Sequence, residues 1–197
     1  MPVAYVTFLE GNTDYSKGVI ALARSLRLHR CVHPLVVGVA PTTSEETFDL
    51  ITRESNVRGI RIAWLELPPS MVDSPVYANP QFVRNFTKLR LWELTEYTKL
   101  VYLDADTLAF ANIDDMFLAP SFSAALDNMS ADEAFSSERF QLPGWNVKSA
   151  HAEPDRTYFN AGVMVFEPSS EEYTAMMKRL GTWEPTRFAE QDFLNDW

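Results

Sequence analysis

The chain reads as an α/β protein built on a mostly parallel sheet, and three features of the sequence predict it. Short apolar strands alternate with amphipathic helices from the first residues onward, as βαβαβ, the opening of a doubly wound sheet. The stretch Leu35 to Val39 is apolar without alternation, as burial on both faces of a helix-covered parallel sheet requires. A later strand, Leu100-Val101-Tyr102-Leu103, runs straight into two carboxylates, Asp104 and Asp106, and α/β sheets bind ligands beyond the carboxyl ends of their strands. At 197 residues, 46% hydrophobic and 13% aromatic, the chain has apolar mass for the core of one domain.

Ala4 to Leu9 is the first strand, and Glu10-Gly11-Asn12-Thr13-Asp14 is a turn leading into a helix from Tyr15. In that helix Val19, Leu22, Ala23 and Leu26 follow the spacing of one buried stripe, with Lys17, Arg24 and Arg27 outside it. Leu35 to Val39 is the second strand. Ser44 is an N-cap ahead of Phe48, Leu50 and Ile51. Ile60 to Leu67 has the alternation of an edge strand, and the four prolines of Pro68 to Pro80 mark a connection. A helix from Asn85 presents Phe86, Leu89, Leu91, Trp92 and Leu94 as its apolar face, with Lys88 and Arg90 in its first turns. Asn112 to Phe117 is turn-like, and Phe122 to Leu126 is a strand ending at Asp127. Tyr158 to Phe166 is a strand whose central Gly162 marks a close backbone approach or a bulge. A helix over Ser170 to Leu180, capped by Ser169 or Ser170, and a last one begun at Phe188 complete the pattern. Residues 129–155 are polar and without period, as binding loops or a lid would be.

The net charge of -10 argues against a nucleic-acid partner or an anionic membrane surface, both of which need concentrated Lys and Arg. An anionic substrate then needs local positive charge or a metal. The single cysteine, Cys31, excludes an internal disulfide and fits a reducing compartment, so the expected setting is cytoplasmic. The N-terminal stretch has no basic region and reads as a core strand in place of a signal peptide, and no run has the length of a membrane span. Asn85-Phe86-Thr87 and Asn128-Met129-Ser130 fit the glycosylation triplet by chance. With no P-loop, no Gly-x-Gly-x-x-Gly and no Gly-x-Ser-x-Gly elbow, kinase, dehydrogenase and serine hydrolase chemistry lack their main support. His29, His33 and His151 lack zinc-like spacing and read as structural.

In extended chain, residues two apart share a face, so Asp104 and Asp106 can aim at one point with Ala105 turned away. Two hard oxygen ligands converging at a strand end make a seat for Mg²⁺ or Mn²⁺, whose shell is completed by waters and substrate phosphates. The same residues also fit a solvated loop start with two surface acids, and the motif alone leaves both open.

The surrounding motifs, in order, are Ala4-Tyr5-Val6-Thr7-Phe8-Leu9, Tyr15-x-x-Gly18, Asn85-Phe86-Thr87-Lys88-Leu89, Tyr102-Leu103-Asp104-Ala105-Asp106-Thr107, Asn112-Ile113-Asp114, Phe159-Asn160-Ala161-Gly162-Val163 and Phe188-Ala189-Glu190-Gln191-Asp192-Phe193-Leu194-Asn195. Together they resemble glycosyltransferase family 8 along the whole chain, most nearly its galactinol synthase and glycogenin branches. The resemblance implies a nucleotide-diphospho-sugar transferase fold of the GT-A type, with residues 1–197 as a single catalytic domain. It implies a retaining transfer of a hexose from a UDP-sugar to a polyol or sugar acceptor, with Mn²⁺ (or Mg²⁺). In the nearest branch this is UDP-galactose to myo-inositol, and a glycogenin-like or other UDP-hexosyltransferase is the alternative. No nucleic acid and no membrane belong to this picture, and a homodimer is compatible with it. Carried over residue by residue, Phe8, Asn12 and Tyr15 would hold uridine, and Lys88 would neutralise the diphosphate. Asp104 and Asp106 would bind the metal, with Ala105 between them in the donor site. Asp127, Asn160, Ala161, Gly162, Glu190 and Gln191 would surround the donor sugar and the acceptor.

Two departures accompany the resemblance. Plant galactinol synthases have Gly between the two aspartates, whereas Ala105 follows glycogenin. Family members also continue to a His-x-x-Gly-x-x-Lys-Pro-Trp segment that supplies a third metal ligand, and this sequence stops at Trp197. The expectation is therefore a truncated domain or a shortened form, for which binding of UDP-sugar without turnover is the competing function.

Overall fold

The computed structural model describes residues 2–72, 74–127 and 158–197. Strands β1 (Val3–Leu9), β2 (Leu35–Val39) and β3 (Val57–Arg61) alternate with helices α1 (Tyr15–Leu28) and α2 (Glu45–Thr52). Two single-turn helices follow, α3 (Pro69–Val72) and α4 (Phe82–Asn85), and α4 passes directly into a 3-10 helix, Phe86–Glu93. Then come β4 (Lys99–Leu103), a 3-10 turn at Asp114–Leu118, β5 (Ser123–Leu126), β6 (Phe159–Phe166), α5 (Ser170–Leu180) and α6 (Glu190–Asp196).

One sheet takes all the described strands in the order β3-β2-β1-β4-β6-β5. The pairs β3/β2, β2/β1 and β1/β4 are parallel, as the sequence predicts, while β6 runs antiparallel to both β4 and β5. The chain winds outward from β1 to β3, then crosses back to place β4 on the other side of β1. That reversal opens a crevice between the carboxyl ends of β1 and β4, the position where open α/β sheets bind ligands. Because β6 is reversed, its first residues lie beside the end of β4: Leu103 pairs with Val163, and the Asp104 N–H donates to the Gly162 carbonyl at 2.8 Å.

Alternate residues of the strands feed two cores. On one face Ala4, Val6, Val36, Leu100, Tyr102, Met164 and Phe166 pack with the 3-10 helix and with α5 and α6. Trp92 stacks on Phe166 there, with ring centroids 3.9 Å apart. On the other face Tyr5, Leu9, Leu35, Val37, Val101, Leu103 and Val165 meet Val19, Leu22 and Leu26 of α1 and Ile51 of α2. Every residue of β2 is buried, as its unbroken apolar run requires.

The structure corrects several predicted boundaries. The third strand begins at Val57 and stops at Arg61, where Ile60 to Leu67 was expected, because it pairs in register with the five residues of β2 and can extend no further than its partner. The helix expected from Asn85 is 3-10 over Phe86–Glu93; six of its residues are buried, Lys88 among them, so it has no polar face to set an α-helical stripe. The proline-rich connection holds α3. Ser169, and not Ser170, caps α5 by accepting from the Glu172 N–H at 3.2 Å, and Ser44 caps α2 in the same way through Thr47. The last helix starts at Glu190 in place of Phe188. The lid region, His151 and the Asn128 triplet lie outside the described residues. Among the described residues no helix is long and apolar enough to cross a membrane.

The motif acid Asp114 has a structural task. Its Oδ1 accepts from the hydroxyl of fully buried Tyr5 at 2.8 Å, and its Oδ2 accepts from the Val32 N–H and from Asn112, both at 3.1 Å. Burial alone would raise the carboxyl's pKa, but these hydrogen bonds outweigh it and hold the group below the usual Asp value. A depressed folded-state pKa means that the ionised carboxylate stabilises the fold above the unfolded Asp value, ~3.9, and that this contribution disappears as pH falls through the lower folded value. Asp114→Ala should cost about 1–3 kcal/mol at neutral pH by leaving the Tyr5 hydroxyl unpaired. In urea titrations the difference from wild type should narrow below pH 4.

Candidate active site

The crevice between β1 and β4 is a cavity of about 950 Å³. Its floor is made where strands end: Phe8, Glu10 and Gly11 at β1, then Asp104, Ala105 and Asp106 at β4, with Asn160, Ala161 and Gly162 of β6 beside them. α4 and the 3-10 helix bring Arg84 and Lys88, and α6 brings Glu190 and Gln191.

The two aspartates do not lie on extended chain. β4 stops at Leu103, and residues 104–107 form a turn closed by the Thr107 N–H and hydroxyl on the Asp104 carbonyl, at 3.0 and 2.7 Å. The turn brings both carboxylates to the cavity, which the face-sharing argument predicted for a different backbone. Ala105 is buried, and α1 presses directly on it: a Cβ on Gly18 would sit 2.2 Å from the Ala105 carbonyl oxygen. Gly162 is required on the other side, since a Cβ there would lie 2.7 Å from both Asp104 Oδ2 and Asn160 Oδ1. Asp106 is exposed and accepts no hydrogen bond or ion pair from the described residues.

Lys88 sits at the centre, almost completely buried. Its ammonium donates to Glu190 Oε1 at 3.2 Å, to the Ala161 carbonyl at 3.3 Å and to Asp104 Oδ1 at 3.4 Å, and it lies 4.6 Å from the centre of the Tyr102 ring. Burial by itself pulls the lysine pKa down, but the charges and hydrogen bonds of Glu190 and Asp104 outweigh it and hold the ammonium protonated above its ordinary value. Burial pushes the Glu190 carboxyl up, the pull of Lys88 offsets only part of that, and the nearby Asp104 charge adds to the rise. The Tyr102 hydroxyl donates to Asp104 Oδ1 at 2.6 Å; burial, then the Asp104 charge, drive its pKa well above the tyrosine value.

Gln191 is locked by its neighbours. The Ala161 N–H donates to Oε1 at 3.0 Å, so Nε2 faces Asp127 Oδ2 at 2.9 Å and the Tyr158 hydroxyl at 3.2 Å. Tyr158 in turn donates to Asp192, whose other oxygen accepts from the Phe188 N–H at 2.9 Å. Ala189, immediately before Glu190, has φ 51°. For a non-glycine residue that backbone costs on the order of 1–3 kcal/mol, tolerated where it aims the side chains that follow.

Of the residues named from sequence, Phe8, Tyr15, Lys88, Asp104, Ala105, Asp106, Asn160, Ala161, Gly162, Glu190 and Gln191 line the cavity. Asp127 joins through Gln191. Asn12 stands apart, its Oδ1 accepting from the Ser44 N–H at the start of α2 at 2.8 Å. The side chain of Asn160 folds back on its own strand to accept from the Gly162 N–H at 2.8 Å. Sequence reasoning missed Glu10, Arg84 and Tyr102 in the lining, and Tyr158 and Asp192 behind Gln191. Tyr102 had a signal, two residues from Asp104, as did Asp192 next to Gln191; Glu10, Arg84 and Tyr158 are brought there by tertiary contacts. His33 packs edge-on against Phe117 with ring centroids 4.6 Å apart, as a structural residue does.

For a metal, the described residues offer no group of three or more His, Cys, Asp or Glu. What they offer is Asp104 and Asp106, hard oxygen donors suited to Mg²⁺ or Mn²⁺ and poor for softer ions. Asp106 is free to take that part, and Asp104 has Oδ2 clear of the Lys88 and Tyr102 bonds. The pair fits a cation that draws its other ligands from phosphate and water.

The buried charges give a stability test. Lys88→Met strands Glu190 without its cation and should cost about 3–5 kcal/mol, whereas Glu190→Gln leaves Lys88 its Asp104 partner and should cost under about 2 kcal/mol. Guanidinium denaturation of the two variants measures the asymmetry.

The glycosyl transferase family 8 model matches residues 6–197. Galactinol synthase 1 of Solanum lycopersicum is 40% identical over 194 residues, covering 98% of this chain and 59% of that protein. Galactinol synthase 7 of Arabidopsis thaliana is 37% identical over 203 residues, covering 98% and 60%. The chain thus spans about three-fifths of the length of these curated relatives. Among solved structures, the apo form of the bifunctional glycosyltransferase WbbM superposes with a TM-score of 0.64 at 19% identity, over 98% of this chain and 37% of that one. The galactosyltransferase LgtC in complex with donor and acceptor sugar analogs gives 0.59 at 17% identity, over 98% and 69%. These likenesses establish the GT-A fold. With a family match over nearly its whole length, the chain belongs to glycosyl transferase family 8.

Proposed function

We propose that this chain transfers a hexose from a UDP-sugar to an acceptor hydroxyl with retention of configuration, most directly galactose from UDP-galactose to myo-inositol. The observation that carries the proposal is the cavity at the carboxyl ends of β1 and β4, where a two-carboxylate turn, a protonated buried lysine and an oriented glutamine amide converge. The names of the curated relatives support the galactosyl donor and the polyol acceptor. A cytoplasmic setting belongs to the same proposal and rests on the free thiol of Cys31.

Tyr15, more than half exposed at the mouth, and Phe8 offer aromatic surface to the uracil ring. Asn12 keeps Oδ1 on the Ser44 N–H and would meet the nucleoside through its Nδ2. As the bond from sugar to phosphate breaks, negative charge grows on the departing UDP, and the buried Lys88 ammonium stabilises it through its charge while keeping its hydrogen bonds to Glu190, Ala161 and Asp104. Asp104 and Asp106 would hold a divalent cation, which when bound supplies further positive charge to the diphosphate. Gln191 presents a neutral, oriented amide beside Asp127, and Asn160, Ala161, Gly162 and Glu190 shape the space next to it for the sugar and the acceptor. The locked amide keeps its N–H side turned toward Asp127, so its orientation needs no adjustment during the reaction.

Incubation with UDP-galactose and Mn²⁺ should release UDP only when inositol is present, followed by chromatography of the nucleotide. Equal release from UDP-glucose with other acceptors would move the assignment to a glycogenin-like transferase. Binding of UDP without any release would leave a sugar-nucleotide-binding protein.

The cation seat predicts coupling. Because phosphate completes the ligand set, Mn²⁺ should tighten UDP and UDP should tighten Mn²⁺ by the same factor. Asp106→Asn should abolish that coupling in calorimetric titrations while changing stability by no more than about 0.5 kcal/mol, as befits an exposed side chain. Identical UDP affinity with and without Mn²⁺ in the wild type would remove the aspartates from the metal role.

A further inference from the structure

The described lining of the cavity carries four carboxylates, Glu10, Asp104, Asp106 and Glu190, against two cations, Arg84 and Lys88. A diphosphate arriving there meets net negative charge, in a chain whose net charge is already -10. Lys88 cannot offset this alone. Its ammonium has three N–H groups, and they already face Glu190, the Ala161 carbonyl and Asp104.

Arg84 is differently placed. It stands one helical turn before Lys88 on the continuous segment made by α4 and the 3-10 helix, and its side chain remains 53% exposed. Among the described residues its guanidinium makes a single hydrogen bond, from Nη1 to Glu10 Oε1 at 2.6 Å, which leaves most of its five N–H donors unspent. The indole of Trp64, whose ring centre is 5.4 Å from Cζ, supports the guanidinium from its face without consuming a donor. Glu10 is itself part of the lining and partly exposed, so the ion pair spans the cavity from the end of β1 to α4 in water-accessible space. Pairs of that kind contribute little net stability and exchange partners readily.

We propose that Arg84 is a phosphate-binding residue of this cavity, held ready by Glu10 until the diphosphate of the donor takes the carboxylate's place. The planar fork of arginine matches a phosphate edge better than it matches one carboxylate oxygen, and a dianionic diphosphate attracts it more strongly than a single carboxylate does. Exchange also frees Glu10 to turn toward solvent. The inference rests on the UDP-sugar reading of the site and adds to it the cation that receives the phosphates while Lys88 remains committed to its buried partners.

The test is calorimetric titration of UDP and of uridine into wild type, Arg84→Gln, Arg84→Lys and Glu10→Gln, with Mn²⁺ present throughout. Arg84→Gln should weaken UDP about tenfold, the scale of one charge-assisted hydrogen bond, and leave uridine unchanged. Arg84→Lys should recover part of the loss, and Glu10→Gln should tighten UDP by up to about fivefold by removing the competitor. Unchanged UDP affinity in Arg84→Gln, with wild type binding UDP normally, would overturn the Arg84 assignment alone. Equal weakening of UDP and uridine would also overturn it, since the side chain would then be shaping the cavity and not meeting phosphate. Failure of wild type to bind UDP at all would overturn the donor reading and this inference with it.

Discussion

The structure of this site depends on one buried ammonium. Lys88 ties the 3-10 helix to the end of β4 through Asp104, to β6 through the Ala161 carbonyl and to α6 through Glu190. A charge taken out of water is costly unless its partners are close and satisfied, so the positions of those elements are specified together. Asp104 is also held by the Tyr102 hydroxyl, and Glu190 is followed by Gln191, whose amide is fixed by the Ala161 N–H. Ala161 thus serves both, its carbonyl accepting from Lys88 and its N–H fixing the Gln191 amide.

Topology makes this convergence available. The crossover back to β4 beside β1 opens the crevice, and the reversal of β6 carries Asn160, Ala161 and Gly162 to its edge. A fully parallel sheet would put the start of β6 at the opposite end, away from Asp104. The close approaches that follow demand missing side chains: Gly18 lets α1 touch the Ala105 carbonyl, and Gly162 leaves room for the Asp104 carboxylate. Two glycines far apart in sequence thus clear space around one turn.

Electrostatically the cavity is acidic. Its carboxylates outnumber its cations among the described residues, and one cation is fully engaged. In the proposed reading a divalent ion at Asp104 and Asp106 would neutralise the excess negative charge of this lining, and exchange of Arg84 from Glu10 to phosphate would turn a cation toward the ligand. The strained backbone of Ala189 and the buried charge at Glu190 are costs that the two apolar cores on either side of the sheet offset.

Sequence by itself determined the α/β alternation, the buried stripe of α1 and the buried run of β2, and it named part of the lining of the site. The unbroken apolar run of β2 and the stripe Val19, Leu22, Ala23 and Leu26 follow from strand and helix periods, whereas Lys88, Asn160 and Gln191 were legible only through the resemblance of their motifs to a known family. Even there the backbone differed: Asp104 and Asp106 reach the cavity from a turn, and Val57 to Arg61 form the edge strand because β2 offers only that length for pairing. Tertiary structure alone decided that β6 is antiparallel, that Lys88 spends its donors on Glu190, Ala161 and Asp104, that Asn12 serves α2, and that Glu10 meets Arg84. Each of those contacts joins residues far apart in the chain, or chooses among partners that any nearby polar group could supply. That choice is made by which elements pack together, and no period in the sequence encodes it.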